Sequence, residues 1–174
     1  MKLKHRLLAA AVTAFAPLPL LAADPSCAVN RTTPEYRTEL AIAMTQGDDA
    51  ARKRLEGTLN DAVSACAKEA GYDEAQNLAY FDIVLSEISR GWLIAELAKA
   101  GLANTVIDKA LDFGPGRTNP TLEEDISEAQ IEAIITGFLD ARVDLDKVPQ
   151  QAWEHVGAYA AATAIYWQAI GKLP

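Results

Sequence analysis

Three features of this sequence predict an all-α fold: a single compact helical bundle of five to six helices around a central buried helix at about residues 73–100. Apolar side chains recur at three- and four-residue steps along most of the chain, the spacing that keeps them on one helical face. Thr, Asp or Asn precedes several of these series and Gly follows several of them, as at capped helix ends. The joints between series are short, and no alternating run with a two-residue turn signals a β-hairpin. Half of the 174 residues are hydrophobic but only 7% are aromatic, so the core is expected to be filled by aliphatic and alanine side chains.

The central series runs from Asp73 to Gly101. Asp73 with Gln76 three residues on forms a capping box, and Lys99 with Gly101 suits a helix C-terminus. Leu78, Phe81, Leu85, Ile88, Trp92 and Ala95 make one apolar row, with Tyr80, Val84, Gly91, Ile94 and Ala98 beside it. Only the strip of Asp82, Ser86, Ser89, Arg90 and Glu96 is left for water. A helix apolar over most of its circumference belongs in a core. It is no membrane span, because Asp82, Glu87, Arg90 and Glu96 interrupt it and each charge costs roughly 2.5–3.5 kcal/mol at mid-bilayer.

Before that helix the chain divides into three parts. Residues 1–23 combine Lys2, Lys4 and Arg6 with an apolar run and small residues, the layout of a cleaved signal peptide. Residues 24–33 read as an extended N-terminal arm, and residues 34–174 as the helical domain. Thr33-Pro34-Glu35 starts a short helix with Leu40, Ala43 and Met44 inward, ending at Gly47. Asp48 caps the next, whose inner series is Leu55, Leu59, Ala62, Val63, Cys66 and Ala70, and Gly71-Tyr72 leaves so little linker that it must lie beside the central helix.

Beyond the central helix, Asn104 is placed to cap a short helix carrying Val106, Ile107, Ala110 and Leu111. The segment Asp112–Thr121, with Gly114, Pro115, Gly116 and Pro120, is irregular. Thr121 and Glu124 form a capping box for a helix running through Ile126, Ile131, Ile134, Ile135, Phe138 and Leu139, slightly weakened by Gly137. Asp144 and Asp146 are expected to cap the last helix or face water. That helix follows Pro149 and stripes Trp153, Val156, Ala160, Thr163, Trp167 and Ile170 along one face.

The two cysteines, Cys27 and Cys66, both follow the expected cleavage point, and an even count in an exported chain predicts one disulfide. Loss of the leader removes three basic residues and no acidic one, taking the formal charge from -8 to -11. Such a chain repels nucleic acid and anionic lipid, so basic protein partners are expected and nucleic acid is not.

Motifs for chemistry are missing. His155 is the sole histidine after the leader and reads as a partly exposed helix residue; HVGAY lacks the second histidine of HExxH, and no DxDxDG loop is present, so neither metal nor cofactor is expected. Ser64, Ser86, Ser89 and Ser127 sit in or at the start of helices, outside any nucleophile elbow. The Gly114–Arg117 turn matches no phosphate-binding loop. A hydrolase would require Asp82, Glu87 or His155 to meet in one cleft.

Two binding functions remain. The first is an exported, non-catalytic protein acting by protein–protein binding, such as an immunity or inhibitor protein against a secreted envelope-targeting hydrolase. Its contact residues would be Arg117 and Asn119 of the irregular loop and the acidic group Glu123, Glu124, Asp125 and Glu128. In outline this resembles the small helical periplasmic immunity proteins paired with type VI secretion effectors, although no shared residue motif carries a site over. The alternative is a periplasmic carrier or sensor holding a small apolar ligand between the central and final helices, in a groove lined by Trp92, Trp153, Tyr159, Tyr166 and Trp167.

Overall fold

A computed structural model describes residues 24–121 and 126–174. The expected leader, and Glu123, Glu124 and Asp125, lie outside the described residues. Among the described residues the fold is all-α: α1 (Ser26–Val29), α2 (Pro34–Gln46), α3 (Asp49–Ala70), α4 (Glu74–Lys99), α5 (Asn104–Ala110), α6 (Glu128–Asp140) and α7 (Gln150–Ile170), with a 3-10 turn, Leu145–Lys147, before the last.

Local chemistry accounts for most helix ends. Thr33 Oγ1 accepts from the Tyr36 amide with Pro34 in the first turn, and Asp48 Oδ1 accepts from the Ala51 amide. Asp73 accepts from the Gln76 amide at 2.8 Å while Gln76 Oε1 accepts from the Asp73 amide at 2.9 Å, the reciprocal box that the sequence predicts. α4 stops because Gly101 turns left-handed (φ 75°), which lets the Leu102 amide reach back to the Leu97 carbonyl at 2.9 Å and the Gly101 amide to that of Ala98. Leu97 and Leu102 are both buried, completing this cap with an apolar contact.

Several boundaries differ from expectation. The arm at 24–33 is not extended: its middle forms α1, with Ala28 buried beside Cys66, and Arg37 Nη1 donating to the Val29 and Thr32 carbonyls holds its end in place. Asn104 does not cap α5, since it is already the first helical residue and its amide is turned inward. α6 is capped by Ser127, not Thr121. The Ser127–Gln130 pair forms a reciprocal box six residues later and satisfies the amides of Ser127 and Gln130. Asp144 precedes the 3-10 turn and pairs with Lys147, Asp146 lies within the turn, and both face water, one of the two expected placements; α7 starts without a side-chain cap.

Two hydrophobic clusters share α4. Its Tyr80, Val84 and Ile88 join Leu40, Leu55, Leu59, Val63 and Cys66 on the α1–α3 side. Its Leu93 and Leu97 join Ile107, Leu111, Phe138, Val156 and Tyr159 on the α5–α7 side, and Trp92 packs against both. The buried face of α4 is therefore rotated from the predicted row. Leu78 is 65% exposed, Gly91 and Ala95 are exposed, and Ser86 and Ser89 of the supposed water-facing strip are buried against α7. α7 runs along α4 more extensively than any other pair of helices among the described residues touches, and Ser86 and Ser89 of α4 line a groove together with Ala158, Ala161 and Ala162 of α7.

Gly137 does more than weaken α6. A Cβ at this position would stand 2.6 Å from Val106 Cγ1, so the α5–α6 contact exists only because position 137 has no side chain. Gly137→Ala is expected to destabilise by roughly 1 kcal/mol net, because overpacking of about 1–3 kcal/mol outweighs a helix-propensity gain of about 1 kcal/mol. Val106→Ala in the same chain should restore stability in urea denaturation; failure of that rescue would refute the steric account.

Candidate functional site

α6 lies at the edge of the bundle and uses only part of its apolar surface. Ile134 and Phe138 enter the core, where the Phe138 ring meets the edge of Trp153 with centroids 6.0 Å apart. Ile131, Ile135 and Leu139 of the apolar series face outward, with 47%, 38% and 54% of their surfaces exposed. The reason is geometric: the series covers more of the circumference than α5 and α7 reach. At four-residue steps these three side chains form one stripe, and exposed Glu128 and Glu132 lie within and beside it. Single exposed leucines or isoleucines are ordinary, but a continuous apolar helix stripe is the surface that helix-in-groove recognition uses. A sequence signal existed for it, since an edge helix apolar on two faces has one face to spare.

Of the predicted contact residues, Glu128 belongs to this stripe and the loop pair does not. Asn119 is consumed inside the loop, accepting from the Gly114 amide at 2.8 Å and donating to the Gly114 and Arg117 carbonyls. Arg117 is exposed but paired with Asp112 at 3.3 Å. Asp112 also accepts from the Thr118 amide and hydroxyl, and these bonds, the amide first, hold its carboxyl below the usual carboxylate range. The loop is a self-capped turn that fixes Phe113 over the core.

The five aromatic residues proposed for a groove are dispersed. Trp92 lies edge-on to His155 (5.3 Å), Trp153 packs on Phe138, Tyr166 stands against Trp167 (5.3 Å), and Tyr159 is fully buried. His155 is buried, not partly exposed, because Trp92 covers it. It shares its surroundings with Glu96, which is roughly 21 Å along α4 from Asp82 at 1.5 Å per residue. Glu87 is paired with Arg90. Asp82, Glu87 and His155 thus do not meet in one cleft. Among the described residues, the group spaced to hold a metal ion is Cys27, Cys66 and Glu69, and both sulfurs are joined as the Cys27–Cys66 disulfide.

Two polar features of the α4–α7 seam were missed in the sequence. Arg90 is 17% exposed at its side chain; its Nε donates to Thr163 Oγ1 at 3.1 Å, its Nη1 donates to Glu87 at 3.2 Å, and its guanidinium lies 4.6 Å from the Tyr166 ring centroid. On the far side of the same arginine, the Tyr159 hydroxyl donates to Asp108 (2.9 Å) and accepts from Asn104 (3.1 Å), tying α5 to α7. These groups satisfy one another and read as a structural lock. The second feature is a groove of about 250 Å³ between α4 and α7, lined also by Met44 and Thr45 of α2, with Asp82, Ser86 and Ser89 among apolar side chains.

No protein-family model, characterised protein or solved structure matches this chain.

Proposed function

We propose that the protein is exported and acts without catalysis by binding another protein, as an immunity or inhibitor protein against a secreted envelope-targeting hydrolase. The outward stripe Ile131, Ile135 and Leu139 carries this reading, because desolvating three aliphatic side chains is the gain a docking partner would offer. The disulfide fits an oxidising compartment, and no helix among the described residues is long and apolar enough to cross a membrane. Glu128 and Glu132 at the stripe, with a formal charge of -11 once the leader is lost, favour a partner with a basic rim around an apolar groove and disfavour a second copy of the same acidic surface.

The test compares the unaltered protein with Ile131→Ser/Ile135→Ser as bait in envelope extract. A single basic protein bound at equal stoichiometry, released by salt and held at least tenfold more weakly by the variant, is the expected result. Its hydrolytic activity should fall when the unaltered protein is added back. Identical retention by both baits would overturn the α6 assignment, and undiminished hydrolysis would overturn the inhibitor reading.

A further inference from the structure

The groove along the α4–α7 seam has a chemical character of its own. Asp82, Ser86 and Ser89 recur at four- and three-residue steps, so they share the face of α4 that meets α7. Both serines are more than nine-tenths buried and line the groove. Asp82 is half-buried at the mouth and forms no ion pair among the described residues. The opposite wall is apolar: Ala158, Ala161, Ala162 and Ile165 of α7. An apolar cavity of roughly 150 Å³ accepts benzene, so about 250 Å³ admits an alkyl chain of several carbons.

We infer that this groove is a binding site for a small cationic amphiphile, a primary alkylammonium whose head is held by the Asp82 carboxylate and the Ser86 hydroxyl and whose tail lies against the α7 alanines and Ile165. An ammonium carries three donors and no acceptor, which matches the acceptor oxygens of a carboxylate and a serine hydroxyl. A carboxylate ligand would meet Asp82 as a like charge. Burial pushes the Asp82 carboxyl up from its usual range and Lys172 only partly opposes that, so an added cation at the mouth relieves an existing cost. Ser89, one turn further along α4, is placed for a polar substituent along the chain of a natural ligand. This site is separate from the α6 stripe, and Ile131→Ser/Ile135→Ser should leave it unchanged.

The experiment titrates the purified protein at neutral pH with n-hexylammonium, n-hexanol and n-hexanoate, read by amide NMR shifts and thermal unfolding. Hexylammonium should move the amides of residues 82–93 and 158–165 and raise Tm, with hexanoate at least tenfold weaker. Asp82→Asn, which keeps the shape and removes the charge, should weaken hexylammonium at least tenfold while leaving hexanol binding unchanged. Ala161→Leu should fill the groove and abolish binding of all three, and where that variant fails to fold, Asp82→Asn decides alone. Equal hexylammonium affinity in Asp82→Asn, shifts confined to α6, or no shifts at all would each overturn the assignment.

Discussion

Removing the Cys27–Cys66 bridge is expected to lower the unfolding free energy by about 4 kcal/mol. The bridge closes a loop with a sequence separation of 39, and chain-entropy loss in the unfolded state gives roughly this value for such a loop. Little else secures α1. The Arg31–Glu69 pair is exposed and worth at most about 1 kcal/mol, leaving the Arg37 bonds, the burial of Ala28 and the bond from the Tyr80 hydroxyl to the Asp24 carbonyl. Cys27→Ala/Cys66→Ala is the variant to use, since serine would place a hydroxyl in the buried Cys66 site. Urea denaturation should show the loss, and reductant should reproduce it in the unaltered protein. Hydrogen exchange should accelerate first in α1 and α3, which share a cluster with the bridge, and last in α7. A loss below about 1 kcal/mol would mean that packing alone holds the N-terminal segment, in conflict with the chain-entropy estimate.

Arg90→Ala should cost about 3 kcal/mol. A hydrogen bond from a charged donor to fully buried Thr163 contributes about 1.5–3 kcal/mol, and a guanidinium 4.6 Å from the Tyr166 ring adds about 0.5–2 kcal/mol. The arginine stem is also lost from the seam. Glu87 is half-exposed, so Glu87→Ala should cost less than about 1 kcal/mol. Arg90→Lys keeps the charge but not the planar fork, and should recover only part of the loss. In a double-mutant cycle with Thr163→Val, a coupling of about 1 kcal/mol or more is expected by urea denaturation. Additive effects would show that Arg90 acts on the seam by bulk alone.

Helix identity and most helix ends were legible in the sequence because they depend on neighbours within one turn. Thr33, Asp48, Asp73 and Gly101 cap or close their helices wherever those helices are placed. The disulfide was legible because the two cysteines had only each other as partners. Ser127 was passed over in favour of Thr121, since both precede a residue able to close the box and the sequence does not rank them. The outward stripe on α6 escaped because apolar periodicity shows which residues avoid water and not how many of them a neighbour can reach. Arg90 and Ser86 escaped for the opposite reason: polar residues on an apolar helix were assigned to solvent, and the partners that bury them, Thr163 and Ala162, lie some 70 residues away.

By itself the sequence determined an all-α chain with its helices in order and one crosslink, since these follow from local hydrogen bonding, apolar spacing and thiol chemistry. The tertiary structure alone decided which face of α4 meets α7, that α6 keeps three aliphatic side chains in water, and that Asp82, Ser86 and Ser89 line a groove. Those outcomes depend on which distant surfaces compete for the same helix face, and a helical period leaves that competition open.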